Sequence, residues 1–154
     1  MKQNTDVYNT IAREFAKTRV FVWDDLKPLV RFTQPKNRVL DLGCGTGRLY
    51  QVFANFQGAD AVNYIGVDVS REQIAVAKET YPGVDFLVAE MCELPFEDES
   101  FDVVYCIAAF HHLPLAELQR TALKEISRVL APGGRLIMTN WNLKGEWKQQ
   151  KVES

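Results

Sequence analysis

Three glycines at alternate positions, Gly43, Gly45 and Gly47, follow Asp41, an acid set in the apolar run Val39–Leu42. The segment reads as a short buried strand, then a loop whose backbone can turn tightly and come close to a ligand, then a helix from Arg48. Twenty-one residues beyond Gly47, Asp68 ends a second apolar run, Tyr64-Ile65-Gly66-Val67. A carboxylate placed there can accept hydrogen bonds from both ribose hydroxyls of a nucleoside cofactor. For the glycines taken alone, a plain structural turn is the alternative.

The glycine spacing separates two classes of cofactor. Dinucleotide-binding loops run G-x-G-x-x-G, and counted from Gly43 the sixth position is Arg48. The D-x-G-x-G-x-G of Asp41 to Gly47 instead resembles motif I of the class I S-adenosylmethionine-dependent methyltransferases, the methyltransferase type 11 domain. In that family the loop wraps the amino acid part of the cofactor. The resemblance implies S-adenosyl-L-methionine as cofactor and no metal, with Asp41, Gly43, Cys44, Gly45, Gly47, Asp68 and Val69 among the binding residues.

The chain has 154 residues, 47% hydrophobic and 25% charged, enough for one well-buried core and too few for two typical domains. No apolar run approaches the ~18 residues of a membrane span, and the polar start Met1-Lys-Gln-Asn-Thr-Asp6 lacks a secretory apolar region. The expected location is therefore the cytoplasm. Cys44, Cys92 and Cys106 are odd in number, without C-x-x-C spacing or clustering with the two histidines, so reduced structural thiols are expected.

Net charge is −2 but unevenly spread. Residues 1–38 carry eight Lys or Arg against four acids, while Glu79 to Glu117 holds nine acids and neither Lys nor Arg. Either this is ordinary solvated surface or a basic N-terminal lid meets an anionic substrate.

Helix and strand patterns alternate without repeats or low-complexity linkers. Helices are predicted at Asp6–Lys17, Val22–Phe32, Arg48–Phe56, Arg71–Thr80 behind the cap Ser70, and Leu115–Leu130. Strands are predicted at Arg38–Leu42, Tyr64–Val67, Val84–Ala89, Phe101–Ile107 and Arg135–Asn140, the last after a Pro132-Gly133-Gly134 turn. This is an α/β, Rossmann-like, doubly wound parallel sheet with helices on both faces and a ligand crevice at the carboxyl ends of the strands. One domain is expected over 1–154: a helical lid at 1–36, a cofactor core at 37–140 and a short tail at 141–154.

Strand three leads into Ala89-Glu-Met-Cys-Glu-Leu-Pro-Phe96 and Glu97-Asp-Glu-Ser-Phe-Asp102, similar to the family's G-D-A-x-x-L-P-F and D-x-S-F-D stretches. By position, Glu90 would accept from the adenine N6 amino group and the Met91 N–H would reach a ring nitrogen, although Asp is more usual at position 90. Alternatively Glu90 is an exposed strand end. After strand four, Cys106-Ile-Ala-Ala-Phe-His-His-Leu113 is similar to a family segment under the methionine end of the cofactor. That implies contacts from Ile107 and Ala108 and a histidine, His112, near the acceptor, or else histidines satisfied in the core. Adjacent histidines point different ways on a regular element, which disfavours a shared metal. Arg120, Lys124 and Arg128, spaced by four, read as a solvated helix face.

The N-terminal Val7-Tyr-Asn-Thr-Ile-Ala-Arg-Glu-Phe-Ala-Lys-Thr-Arg19 with Trp23, and the tail Trp141 and Trp147-Lys-Gln-Gln-Lys151, resemble the tRNA wobble-uridine carboxymethyl methyltransferases. This chain departs at Val22, where those proteins have proline, and at Thr46 and Arg48, where they have Asn and Lys. The resemblance implies a carboxylate acceptor on a modified base. Methyl transfer from a sulfonium is an in-line displacement, so rate comes mainly from holding the oxygen ~3 Å from the methyl. A carboxylate needs no base but does need orienting cations, which nominates Arg19, then Arg13 and Lys17, against a reading as surface charge. Tyr8 could close over the cofactor or simply pack.

Class I methyltransferases usually add strands six and seven, which this chain is expected to lack, leaving strand five for a protein partner or a second copy. Three functions stay open. The acceptor is tRNA, or it is a small molecule, or the chain is a truncated cofactor-binding scaffold without independent catalysis.

Overall fold

A computed structural model describes residues 26–139. The predicted helix Asp6–Lys17, the residues Tyr8, Arg13, Lys17, Arg19 and Trp23, and everything from Asn140 onward lie outside the described residues.

Within them run α1 (Lys27–Val30), β1 (Arg38–Leu42), α2 (Arg48–Gln57), β2 (Asn63–Asp68), α3 (Arg71–Thr80), β3 (Asp85–Val88), β4 (Phe101–Ile107), a 3₁₀ turn (Phe110–His112), α4 (Ala116–Val129) and β5 (Leu130–Thr139). All five strands are parallel, in the order β3-β2-β1-β4-β5. The order reverses beside β1, whose neighbours are β2 and β4, and that is where an open α/β sheet leaves a crevice at its carboxyl edge.

β1 is apolar without strict alternation because both of its faces are covered. Val39 packs with Phe53, Tyr64, Ile74, Ala77, Phe86 and Tyr105 in the layer under α2 and α3. Leu40 and Leu42 face the other way, with Val67, Val104, Cys106, Ile126 and Val129, in the layer under α4. Asp41 shares the face of Val39, since side chains alternate along a strand.

Three expectations are corrected. The predicted Val22–Phe32 helix is, within the described residues, a single turn: α1 carries Pro28 in its first turn, where a missing N–H costs nothing, and stops at Val30. Pro132-Gly133-Gly134 is not a turn ahead of strand five but a bulge inside it. Phe101 is opposite Leu130, yet Val103 is opposite Arg135, so β5 spends five residues where β4 spends two.

Arg128 is not part of a solvated face. Its guanidinium donates to the carbonyls of Leu94 and Phe96 and to Glu125 and Asp98, while Glu125 accepts the Leu94 N–H. The pair fastens the β3–β4 loop to α4, a job a planar fork of five donors suits.

Among the described residues β5 pairs with β4 alone and β3 with β2 alone, so both sheet edges are open there. No helix among them is long and apolar enough to cross a membrane.

Candidate functional site

The glycine loop is drawn back over β2. The N–H groups of Gly43 and Cys44 both donate to the Val67 carbonyl, at 2.8 and 3.0 Å. Gly43 has φ +70° and Gly45 φ +56°, the left-handed region that disfavours side chains. A Cβ at Gly43 would collide with that of Ala109, in the loop after β4, and a Cβ at Gly45 would stand 2.9 Å from Gln73 Oε1 on α3. Gly47 ends the loop as the N-cap of α2.

Asp68 joins three loops. Its Oδ2 accepts the Gly45 N–H at 3.0 Å, its Oδ1 accepts the Ser70 N–H at 2.9 Å, and its main-chain oxygen accepts the Ala89 N–H at 3.1 Å. The segments after β1, β2 and β3 therefore meet at one residue. Burial raises the Asp68 pKa, against the lowering effect of the Ser70, Gly45 and Val69 N–H groups. An ionised carboxylate has about four lone-pair sites, so with three N–H groups bound it keeps capacity for a further donor.

Asp41 lies beneath the loop rather than at its mouth. It is 2% exposed, and its Oδ2 accepts the Tyr64 hydroxyl at 2.6 Å. Burial pushes its carboxyl up to about 7; the Tyr64 hydrogen bond opposes this and the nearby Asp68 adds to it. Tyr64 in turn packs edge-on against Phe53 and Phe86 and tilted against Tyr50. Burial and the two carboxylates hold the Cys44 thiol well above its ordinary range, burial takes Cys106 to about 12, and burial with Glu90 and Glu125 raises Cys92. All three thiols stay protonated at neutral pH, which makes them poor nucleophiles.

The ends of β3 and β4 complete the rim. Glu90 is exposed just past β3, its carbonyl accepting the Glu93 N–H at 3.1 Å. The Met91 methyl lies 3.5 Å from the position a Cβ on Gly43 would take. Ile107 ends β4 half-buried and packs on the Val39 layer. Ala108 takes φ +51°, its N–H donating to the carbonyl and hydroxyl of Thr139. In the 3₁₀ turn the rings of His111 and His112 stand 4.2 Å apart, so this pair does not point apart as adjacent residues on a regular helix or strand would. Burial lowers both imidazole pKa values, and His112 is the exposed member. Among the described residues no group of three or more His, Cys, Asp or Glu side chains is placed to hold a metal.

Residues 40–138 match the family model described as a methyltransferase domain. The chain belongs to that family. A mouse probable tRNA methyltransferase 9B is 32% identical to this methyltransferase domain over 147 residues, covering 96% of the chain and 31% of the relative. An Arabidopsis thaliana tRNA (carboxymethyluridine(34)-5-O)-methyltransferase is 31% identical over 136 residues, covering 88% and 31%. An O-methyltransferase of Aspergillus nomiae is 40% identical over 109 residues, covering 67% and 46%. The chain thus spans less than half the length of each of these relatives. Among solved structures, a SAM-dependent methyltransferase of Methanosarcina mazei superposes with TM-score 0.65 at 28% identity, over 72% of this chain and 55% of that one. A Haloferax volcanii putative methyltransferase, solved in complex with the Trm112 methyltransferase activator, gives TM-score 0.70 at 25% identity, over 86% and 57%.

In this methyltransferase domain the structure brings Gly43, Cys44, Gly45, Gly47, Asp68, Val69, Glu90, Met91, Ile107 and His112 to the carboxyl edge of one sheet. Asp41 it places underneath. The sequence reading missed Ala109, which closes on Gly43, and Tyr64, which holds Asp41. Tyr64 pairs with Val39 in register and alternation puts Asp41 on the same face, a relation that exists only once β1 and β2 are paired. Ala109 carries no sequence signal, because an alanine in a loop looks the same whatever it touches.

Proposed function

We propose that the chain binds S-adenosyl-L-methionine at the β1–β2–β3 rim and transfers its methyl group to a carboxylate on a tRNA wobble uridine. The observation that carries the cofactor reading is the Gly45–Asp68 link, which sets a glycine-rich loop beside a half-buried carboxylate with acceptor capacity left over. The residues present fit the cofactor. Gly43 and Gly45 bring no side chain to the loop, Asp68 keeps capacity to accept from the ribose, and Glu90 and Met91 follow Ala89, whose N–H bonds the Asp68 carbonyl, which suits them to the adenine.

S-adenosylmethionine supplies a methyl on a sulfonium, whose sulfur leaves neutral. The chain's own task is positioning. The acceptor oxygen is held by cations, Arg19 first, with His112 at the rim and Tyr8 closing over the cofactor; Arg19 and Tyr8 are proposed from sequence. No thiol nucleophile and no general base is required. Similarity to the Arabidopsis carboxymethyluridine enzyme favours the tRNA carboxylate. The 40% identity to a fungal O-methyltransferase favours, as the second reading, a small-molecule hydroxyl or carboxyl acceptor. A protein partner along an open sheet edge is proposed from the Trm112 complex of the Haloferax relative.

Calorimetry with S-adenosylhomocysteine and NAD tests the cofactor: binding of the first and not the second is expected, and the reverse overturns the assignment. Methyl transfer from labelled cofactor to total tRNA, total protein and a metabolite extract then separates the acceptors. If tRNA is labelled, Arg19→Ala is expected to reduce transfer far more than cofactor affinity.

A further inference from the structure

We infer that Gln73 is a cofactor-binding residue whose side-chain amide engages the ribose beside Asp68; this deepens the S-adenosylmethionine reading and rests on it. Ser70 and Gln73 have the spacing of a capping box, in which the cap hydroxyl accepts the N–H three residues on and that residue's side chain returns to the cap N–H. The first half is present, with Ser70 Oγ accepting the Gln73 N–H at 3.2 Å. The second half is not. Asp68 Oδ1 takes the Ser70 N–H at 2.9 Å, and the Gln73 amide is left to reach the glycine loop. Its Oε1 stands 2.9 Å from the point a Cβ on Gly45 would occupy, and the side chain makes no hydrogen bond among the described residues.

Gln73 and Asp68 therefore border Gly45 together, since that residue's N–H is bonded to Asp68. Their chemistry is complementary. A carboxylate only accepts, so ribose hydroxyls that donate to Asp68 keep lone pairs with no donor. A primary amide brings two N–H donors and an acceptor. Turned about its last torsion, the Gln73 amide can donate to one hydroxyl while Asp68 accepts from it. The predicted consequence is discrimination at the ribose: the residue contributes when the hydroxyl is there and not when it is missing.

The test is calorimetry on the full chain with S-adenosylhomocysteine and its 2′-deoxy and 3′-deoxy counterparts, with thermal unfolding of each unliganded variant. Gln73→Leu is expected to weaken S-adenosylhomocysteine roughly threefold to tenfold. It should leave affinity for one of the deoxy ligands unchanged, and leave the unliganded midpoint unchanged. Gln73→Glu, which sets a second acid beside Asp68, is expected to weaken the ribose ligand more than Gln73→Leu does. Equal weakening across all three ligands, or unaltered affinity for S-adenosylhomocysteine, overturns the assignment. Failure of the unaltered chain to bind S-adenosylhomocysteine overturns the cofactor reading itself, a result distinct from loss confined to the variants.

Discussion

The Gly45 N–H donates to Asp68 Oδ2 at 3.0 Å, so the loop after β1 is seated by the same carboxylate that ends β2. On the proposed cofactor reading, loop geometry and ribose recognition share one group. Removing that group cannot affect one without the other.

Asp68→Ala is accordingly expected to weaken S-adenosylhomocysteine by about 1.5–3 kcal/mol, since charged hydrogen bonds are lost. It should also lower the unliganded unfolding midpoint, because the Gly45 and Ser70 N–H groups both lose their acceptor. Asp68→Asn, which keeps one acceptor oxygen, should lose less stability than affinity. Calorimetry and thermal unfolding on both variants read the two effects apart.

Gly43 and Ala109 form a tighter constraint. Gly43→Ala should destabilise the fold by about 2–5 kcal/mol, combining about 1–2 for a left-handed non-glycine residue with about 1–3 for overpacking. Adding Ala109→Gly removes the colliding methyl and should restore only the second part. Denaturant unfolding of the single and double variants measures the difference. Gly45→Val differs in kind: it should leave a folded chain that no longer binds cofactor, because its clash is with the movable end of Gln73 while the backbone strain falls on the loop itself.

The buried Asp41 makes stability depend on pH in a direction unusual for a carboxylate. Its folded pKa, about 7, lies above the ordinary aspartate value near about 4, so between these pH values the folded chain holds a proton that the unfolded chain has lost. Stability should fall as pH rises through that window and stay low above it. Asp68 is shifted the same way and adds to the slope. Asp41→Asn, which still accepts from Tyr64, should match the unaltered chain near pH 4 and exceed it at pH 8 by on the order of 2–4 kcal/mol. Urea unfolding at the two pH values checks this; a gap that does not widen with pH would show that the ionised carboxylate is fully compensated.

Arg128 should act on stability rather than on any nucleic acid. Arg128→Ala strands the carbonyls of Leu94 and Phe96 and is expected to cost about 1.5–3 kcal/mol. Arg128→Lys should recover little, because one ammonium cannot span two carbonyls and two carboxylates. Unfolding midpoints of the two variants, with cofactor affinity as the control, decide it.

The strands β1 and β4 begin and end where their sequence says, at Arg38–Leu42 and Phe101–Ile107, because a central parallel strand is covered on both faces and reads as a mainly apolar run. The cap Ser70 and the start of α2 after Gly47 are as legible, being set within a single turn of chain. Where reading failed, a distant partner decided. Arg128 has the helical spacing of a surface cation, and only the fold of the β3–β4 loop over α4 turns it inward. The β5 bulge depends on β4's register, which no local pattern states.

By itself, then, the sequence determined the alternation of helix and strand, the parallel sheet, the glycine-rich loop at Gly43–Gly47 and the presence of an acid after β2. These follow from preferences that act within a few residues: glycine tolerates left-handed backbone, and apolar periodicity selects the element. Only the tertiary structure decided that Asp41 turns down to Tyr64 while Asp68 reaches across to Gly45, that Ala109 is what makes Gly43 obligatory, and that Gln73 is released toward the loop. Each of those is a contact between strands or helices many residues apart, and its energy depends on strand order and register, which exist only once the sheet has formed.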